Sequence, residues 1–424
     1  MRKNKTAPLS LPSGQVYSEE TSARGQSVSA LHRWLVRRLI EAAGRPPCAI
    51  VLWNGETFYG STRKPVAQLH VRDRGALFRL LRNPGLQFGE LYTEGRLRIE
   101  GSLRGFLEVV YRAMDRAERS PLLRVLGYTR RRSNSLAGSR DNIHHHYDLG
   151  NEFYQLWLDT AYTQYTCAYY ADPSMSLEQA QIAKLHHVCR KLQLKPGQTV
   201  VEAGCGWGGL ARFMAEHYGV RVKAFNISHE QVRYARARAA ADGLDDRVEY
   251  IEDDYRNIQG EYDAFVSVGM LEHVGRDNYR TLGDVVDRCL KPEGRGLIHT
   301  IGRNRPKPMN AWIERHIFPG AYPPTLREMM DIFEGAPFSV LDVENLRMHY
   351  ARTLEHWLER YDGHVEQVRE MFDEGFVRAW RLYLVGSAAA FASGELQLFQ
   401  VAFARAHDNE VPATRRHVYA ESGV

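Results

Sequence analysis

Hydrophobic and polar positions follow two alternating periods between residues 177 and 300. Apolar positions recurring about every 3.6 residues predict helices, and short apolar runs bounded by turn residues predict buried strands. The predicted strands are 199–201, 220–225, 248–251, 264–268 and 296–300, and the predicted helices are 177–192, 210–218, 229–241 and 279–290. Strands that alternate with helices form a doubly wound, mostly parallel sheet, so the pattern predicts an α/β fold. In such sheets ligands bind beyond the carboxyl ends of the strands.

A separate pattern before residue 120 predicts a small N-terminal α+β domain. The segments 49–53 and 57–59 read as strands, and Asn54-Gly55 between them is a strong signal for a tight hairpin. The other predicted elements are helices at 29–43, 76–82 and 103–116 and a strand or turn region at 87–99. We find no catalytic constellation in this part of the sequence and expect a positioning or partner-binding role for it.

The chain beyond the predicted sheet is richer in proline and aromatic residues. A turn is predicted at 291–294, and residues 311–324 form a Pro- and aromatic-containing excursion. Helices are predicted at 326–333, 353–361 and 372–400. The last of these is apolar on one side, which favours core packing, although together with the excursion it could roof a tunnel for an acyl chain.

Composition and charge narrow the class of protein. The chain has 424 residues, of which 44% are hydrophobic and 25% charged, as in globular proteins. It has neither an apolar run long enough to cross a bilayer nor the apolar core of a signal peptide, so we expect a cytoplasmic protein. Its five cysteines form no CxxC pair and no Cys/His cluster, so no metal site and no disulfide framework is expected.

The net charge of +5 is unevenly distributed. Residues 124–140 contain five arginines and no acidic residue. Such a patch could meet anionic lipid headgroups or nucleic acid, or it could be a solvated linker. Charge alone does not choose among these.

The most informative stretch is the glycine-rich turn after the first predicted strand of the sheet. Its spacing, Glu-x-Gly-x-Gly-x-Gly, comprises Glu202, Gly204, Gly206 and Gly208. Glycines at such a corner let the backbone approach a ligand and allow positive φ. The spacing differs from the Gly-x-Gly-x-x-Gly of dinucleotide sites and resembles the first motif of S-adenosylmethionine (SAM) methyltransferases. The alternative is a glycine-rich turn with no ligand.

Polar residues follow the other predicted strands of the same sheet. Many SAM enzymes have an acid after the second strand that binds the ribose; here Asn226 and Ile227 stand there, so Asn226 or Gln231 is the candidate substitute. Glu252, Asp253 and Asp254 could accept from the adenine amino group, or could simply cap a helix or be solvated. Glu272 and His273 follow the fourth strand, and His299 lies at the end of the fifth, so all three are candidates. The last candidate is Tyr165, in the aromatic run before the sheet, which is either core or cavity wall.

Five segments together resemble the cyclopropane-fatty-acyl-phospholipid synthase family. They are 142–154, 164–169, 202–209, 267–275 and 299–302, in the family's order, and the resemblance extends over about 140–405. It implies transfer of a methylene group from SAM to a cis double bond in a phospholipid acyl chain, which forms a cyclopropane ring. It also implies a homodimer that associates peripherally with the inner face of the membrane, and no nucleic-acid partner. The patch at 124–140 is then the candidate for docking on an anionic membrane surface.

The resemblance further implies a bound bicarbonate ion that acts as base. Its site would comprise main-chain groups of Cys167 and Ile301 and the side chains of Glu272, His299 and Tyr350. Tyr350 could instead be a buried structural tyrosine. Neither Cys167 nor Cys205 has a base at motif distance, so both are interpreted as lining residues and not as nucleophiles.

The domain organisation follows from these assignments. A disordered N-terminus (1–25), an α+β domain (26–120) and a basic linker (121–141) precede the methyltransferase domain (142–405) and a C-terminal tail (406–424). Three other functions are possible. A relative in the same family would add a methyl or methylene branch to the acyl chain. A sterol or small-molecule methyltransferase would lack the bicarbonate-type constellation, and a non-catalytic lipid-binding module would have a damaged glycine turn.

Overall fold

The computed structural model describes residues 27–118 and 149–419. Within these ranges the chain folds into two compact units. The first contains 27–118 together with Pro308–Pro319 and Leu354–Glu395, and the second contains 149–307, Gly320–Thr353 and 396–419. The N-terminal segment predicted at 1–25, the basic linker and residues 142–148 of the first family-like segment lie outside the described residues. The predicted domain bounds stay a prediction.

The first unit has a four-stranded sheet of order β2-β1-β3-β4. Its strands are β1 (Ala49–Val51), β2 (Thr57–Tyr59), β3 (Ala67–Val71) and β4 (Leu97–Gly101), and its helices are Ala30–Ala42, Arg74–Arg82, Pro84–Thr93, Leu103–Glu118, Ala311–His316, Val365–Met371 and Glu374–Ser393. β1 and β2 pair antiparallel, which confirms the hairpin predicted from Asn54-Gly55. The prediction for 87–99 is partly wrong, because a helix with Asn83 as its N-cap and Pro84 in its first turn precedes β4.

The second unit is built on a seven-stranded sheet of order β10-β11-β9-β8-β5-β6-β7. Its strands are β5 (Thr199–Ala203), β6 (Arg221–Asn226), β7 (Val248–Glu252), β8 (Tyr262–Val268), β9 (Leu290–Gly302), β10 (Phe338–Asn345) and β11 (Gln397–Arg405). The five strands from β5 to β9 are mutually parallel, and β11 lies antiparallel to both β9 and β10. This is the predicted α/β, mostly parallel sheet.

Helices cover both faces of this sheet. They are Asn151–Gln155, Leu177–Lys191, Gly209–Tyr218, His229–Ala241, Leu271–Val274, Tyr279–Cys289, Leu326–Met329 and Arg416–Tyr419, with short 3₁₀ turns at Tyr255–Asn257, Arg276–Asn278 and Met330–Ile332. One buried cluster joins Leu185 and Phe213 to one face, and a second joins Val285 and Phe333 to the other. The helix Arg347–Gly363 runs from the second unit into the first. Within the described ranges, no helix is both long and apolar enough to span a bilayer.

Two predictions that concern β9 and β11 are wrong. The segment 291–294 is not a separate turn but a bulge within β9, because Tyr262 pairs with Leu290 and Ala264 with Arg295. The helix predicted at 372–400 ends at Ser393, where Gly394 adopts φ +83°, and the chain then enters β11. β10 was not predicted.

Candidate active site

The glycine turn is packed on one side and open on the other. Gly208 has φ +76°, and a Cβ there would lie 2.5 Å from the ring of Tyr250, whose hydroxyl donates to the Gly208 carbonyl at 2.7 Å. Gly206 has φ +53°, and a Cβ there would meet no atom within 4 Å. Tyr250 therefore supports the turn from below, while the backbone at Gly206 is accessible to a ligand.

Asn226 and Gln231 are brought together behind this turn. The Asn226 amide donates to the Gly206 carbonyl at 3.1 Å and to Gln231 Oε1 at 2.9 Å. Gln231 Nε2 is buried and has no hydrogen-bond partner, and Ile227 is only partly buried. Because Asn226 already holds the turn, Gln231 is the better candidate to donate to a ribose hydroxyl.

Asp253 and Asp254, at the end of β7, have local roles. Asp254 is buried and accepts from the N–H of Arg256, as the N-cap of a 3₁₀ turn, at 3.0 Å. Asp253 accepts from the Asn257 amide at 2.8 Å. These contacts match the capping alternative, and adenine recognition by either residue stays a prediction.

Tyr165 lies in an aromatic cluster beside the glycine turn. Its ring centroid is 5.5 Å from that of Tyr154, 5.3 Å from that of Trp157 and 6.5 Å from that of Trp207. Trp207 belongs to the turn itself, and its indole N–H donates to Asn151 at 2.8 Å. The aromatic run before the sheet thus meets the glycine turn, and the role of Tyr165 as a wall residue stays a prediction.

The Glu272 carboxylate is bound to the end of β9. Its Oε1 accepts from the main-chain N–H of Ile301 at 2.5 Å, while its Oε2 is buried without a hydrogen-bond partner. Burial raises the pKa of Glu272 to about 7, against the opposing effects of the Ile301 N–H and of the Thr300 side chain. The Ile301 N–H thus donates to Glu272, and the role of the Ile301 main chain in binding an ion stays a prediction.

His299 lies two residues before Ile301 on the same strand. It stands opposite Gln400 in the β9–β11 register, and the Gln400 amide nitrogen lies 3.0 Å from His299 Nδ1. Burial lowers the pKa of His299 to about 3, so the imidazole is neutral at physiological pH. Because the Gln400 amide nitrogen faces Nδ1, we assign the ring proton to Nε2, which is buried without a partner.

The segment around Cys167 runs along the helix that carries Tyr350. The N–H of Ala168 donates to Thr353 at 3.0 Å and that of Tyr170 donates to His349 at 3.0 Å, both on the helix Arg347–Gly363. Cys167 is fully buried, and burial raises the pKa of its thiol far above the physiological range. A thiol held neutral in this way is a lining group and not a nucleophile.

A buried lysine below the site was not predicted. Lys184 donates to Thr166 at 3.0 Å and also to the Gln164 side chain, and its charge acts on Glu202, Cys167 and His299. Burial raises the pKa of Glu202 and lowers that of Lys184, and each charge partly offsets the effect on the other. Lys184 therefore links the segment 164–168 to the glycine corner.

One protein-family model matches most of the part of the chain that forms the seven-stranded sheet. Residues 134–401 match the family described as mycolic acid cyclopropane synthetase. The chain belongs to this family. Residues 35–120 match a second model, described only as a domain of unknown function.

Relatives of the mycolic acid cyclopropane synthetase family agree with this assignment. A probable fatty acid methyltransferase of Pseudomonas putida is 35% identical over 88% of this chain and 96% of that protein. The cyclopropane-fatty-acyl-phospholipid synthase of Escherichia coli K12 is 43% identical over 64% of this chain and 69% of that protein. The crystal structure of the mycolic acid cyclopropane synthase CmaA1 with SAH and CTAB superposes with a TM-score of 0.60 at 28% identity, covering 64% of this chain and 99% of that one.

Family membership confirms the fold and the class of enzyme predicted from the glycine turn. The chain is a SAM-dependent methyltransferase, with SAM as methyl donor, and its family transfers one-carbon units to lipid acyl chains. Two site residues had no signal in the sequence alone. Gln400 lay inside a stretch predicted as helix, and Lys184 lay on an ordinary amphipathic helix, so only the folded chain shows that they face the site.

Proposed function

We propose that this synthetase adds a methylene group from SAM across a cis double bond in the acyl chains of membrane phospholipids and closes a cyclopropane ring. The observation that supports this best is the pair of unpaired buried atoms at the end of β9, Glu272 Oε2 and His299 Nε2. A buried polar group without a partner is unfavourable by about 1–3 kcal/mol, so two of them at one strand end suggest a small polar ligand.

Bicarbonate fits this donor set. Glu272 presents an acceptor and His299 presents an N–H donor, and bicarbonate offers both an O–H and oxygen acceptors. Tyr350 and the main chain at Cys167 would complete the proposed site. When bound, the ion would supply the base for the proton that is released as the ring closes.

The protein's contribution is a dry and prearranged site. An alkene is a weak nucleophile, so the reaction depends on alignment and on exclusion of water. Glu272, His299 and Cys167 are all buried, and the aromatic cluster around Tyr165 lies beside the turn proposed to hold SAM. We assign SAM binding to Gly204, Gly206, Gly208, Glu202, Asn226, Ile227 and Gln231, with Tyr165 at the wall and Asp253 or Asp254 toward the adenine.

A second product class has one specific observation in its favour. The Pseudomonas putida relative, which covers 88% of this chain, is named as a probable fatty acid methyltransferase, whereas the match to the phospholipid synthase covers 64% of this chain. The alternative is therefore a methyl or methylene branch on the same acyl chain. The homodimer and the membrane surface predicted from the sequence are further proposals.

Mass spectrometry of acyl chains after incubation with SAM and vesicles of unsaturated phospholipid tests both candidates. We expect a mass gain of one CH2 that resists catalytic hydrogenation, as a ring does. A gain with loss of the double bond on mild hydrogenation would indicate a methylene branch. No gain on any unsaturated phospholipid, with SAM bound, would reject both.

A further inference from the structure

One face of the N-terminal unit exposes large apolar side chains among arginines. Leu31 and Trp34 are 56% and 53% exposed and lie three residues apart on the helix Ala30–Ala42. Phe78, on the helix Arg74–Arg82, is 43% exposed, and its ring centroid lies 5.7 Å from that of the buried His32. The contact between His32 and Phe78 holds the two helices side by side, and Leu31, Trp34 and Phe78 are the large apolar side chains that this helix pair exposes.

Arginines border this surface on both helices. Arg38 lies over the Trp34 ring at 5.4 Å, and the other exposed arginines at helical spacing from Trp34 or Phe78 are Arg37, Arg74 and Arg82. Residues 27–101 contain twelve lysines and arginines against six acidic residues. The excess of positive charge in this segment is thus larger than the net +5 of the whole chain, so the rest of the protein is close to neutral.

Trp34 differs from every other tryptophan of the protein. All seven tryptophans lie in the described ranges, and the other six are at most 9% exposed. A tryptophan has an apolar body and one N–H, which suits it to the level of lipid headgroups. The helix that presents it is also fixed at its start, because Ser29 and His32 form a reciprocal capping box.

We propose that this face, formed by Leu31, Trp34 and Phe78 with Arg37, Arg38, Arg74 and Arg82, docks the enzyme on an anionic phospholipid bilayer. The arginines would meet the headgroups while the three apolar side chains enter the interface. A symmetric contact between two copies would set the same arginines against each other, which favours lipid over a second copy. The inference rests on the proposed function, since it gives the domain of unknown function the task of bringing the enzyme to its lipid.

Sedimentation of the full chain with vesicles tests the docking face. We expect binding to phosphatidylethanolamine–phosphatidylglycerol vesicles and little binding to phosphatidylcholine alone. Trp34→Ala should weaken binding about tenfold, and Arg37→Ser should weaken it about fivefold on the anionic vesicles only. Matched controls in the second unit are Leu341→Ala and Arg221→Ser, which remove an exposed apolar and an exposed basic side chain and should bind as the original protein does.

Fluorescence gives a second readout that does not depend on catalysis. Brominated lipid in anionic vesicles should quench the emission of the original protein, and Trp34→Phe should lose most of that quenching while still binding. Equal quenching in Trp34→Phe, or unchanged vesicle binding by Trp34→Ala and Arg37→Ser, would overturn the proposal. So would a change in oligomeric state caused by Trp34→Ala, because the face would then be a contact between copies.

Activity on detergent-dispersed lipid separates this inference from the proposed function. Docking variants should modify dispersed lipid at the original rate and lose activity only on vesicles. If no lipid is modified in either form although vesicle binding is intact, the proposed function fails and the docking face stands.

Discussion

At the scale of single residues, the site depends on which nitrogen of His299 carries the proton. We assign the proton to Nε2, on the far side of the ring from Gln400, because the Gln400 amide nitrogen faces Nδ1. We predict that Gln400→Glu reverses this, because a carboxylate there would accept a hydrogen bond from a protonated Nδ1 and raise the pKa of the imidazole. Turnover should fall at least tenfold, with the KM for SAM nearly unchanged.

The tautomer can be measured directly by ¹⁵N chemical shifts of labelled histidine, with His299 assigned by comparison with His299→Asn. Gln400→Met is the matched variant that removes the hydrogen bond without adding charge, and it should give a mixture of tautomers and an intermediate rate. Unchanged shifts and full turnover in Gln400→Glu would show that Gln400 only packs against the ring.

The second prediction at the scale of single residues concerns the effect of Glu272 on turnover. Glu272→Gln keeps the size of the side chain but removes the charge that we propose accepts from the bound ion. We expect turnover to fall by a factor of about 100 or more, while the Kd for SAM, measured by calorimetry, stays within about twofold. A variant with full turnover would remove Glu272 from the site.

The raised pKa of Glu272 also predicts that the stability of the protein depends on pH. Burial raises the pKa of Glu272 to about 7 from a usual value near 4.5, so the folded state holds its proton over that interval while the unfolded state does not. The contribution of Glu272 to stability therefore falls as pH rises between the two values, by up to on the order of 3 kcal/mol. Gln cannot titrate, so without ligand Glu272→Gln should gain in melting temperature over the original protein from pH 5 to pH 8.

An exposed carboxylate provides the control for that measurement. Glu334→Gln removes a charge of the same type from the protein surface and should leave the difference in melting temperature constant across the same pH range. If Glu272→Gln also shows no change across this range, the carboxyl is not held in its protonated form by the fold.

At the scale of elements, the glycine turn offers a test in which the effect of an added Cβ on ligand approach is separated from its effect on backbone strain. Gly206 and Gly197 both have positive φ, +53° and +83°, and both have open space where a Cβ would stand. Alanine at either position should lower stability by about 1 kcal/mol. Only Gly206→Ala should weaken SAM binding, by tenfold or more in calorimetry, because only that Cβ would lie at the proposed cofactor site. Equal SAM affinity in both variants would contradict this placement.

The elements also show what the sequence could predict. The strands and helices between 177 and 289 follow the periodic pattern closely, and so does the corner at Gly206, because local spacing and turn glycines determine them. β11 was predicted as the end of a helix because its apolar run is compatible with either state. Its strand form depends on pairing with β9, far away in sequence. Gly394, with φ +83°, was the local stop signal that should have ended the helix.

The residues of the candidate site divide in the same way, into those that local sequence predicts and those that depend on non-local packing. Glu272 and His299 were predicted because they follow strands of a parallel sheet, where ends meet at one edge. Gln400 and Lys184 could not be predicted, since each reaches the site only through a non-local packing of its element. That the Ile301 N–H donates to Glu272 is seen only in the folded chain, and the binding of an ion by main-chain groups of Cys167 and Ile301 stays a prediction.

At the scale of the whole molecule, the N-terminal unit is assembled from segments far apart in the chain. The segment Pro308–Pro319 inserts Trp312 against Gly89, where a Cβ would lie 2.3 Å from the indole. The helix Glu374–Ser393 packs on the helix Leu103–Glu118. Within the described residues, this unit therefore includes packing that two later segments of the chain contribute.

Glu90 and His316 join the helix Pro84–Thr93 to the inserted segment Pro308–Pro319, and the last prediction concerns this pair. Both side chains are buried, and Glu90 Oε1 lies 2.9 Å from His316 Nε2. Burial alone would raise the pKa of Glu90, but the hydrogen bond and charge of His316 hold it below its usual value. The stability that this carboxylate contributes is present above about pH 4.5 and is lost as pH falls through the lowered pKa.

Glu90→Ala should therefore lower the stability of the first unit at pH 7 by about 2–4 kcal/mol, since it leaves His316 buried without its carboxylate. Glu41→Ala is the matched control, because Glu41 pairs with Arg38 on the exposed side of a helix of the same unit and such pairs contribute less than about 1 kcal/mol. Urea unfolding of both variants, repeated at pH 4, should show a large gap at pH 7 that narrows in acid. Equal stability of the two variants at pH 7 would mean that the inserted segment is held by packing at Trp312 and not by this pair.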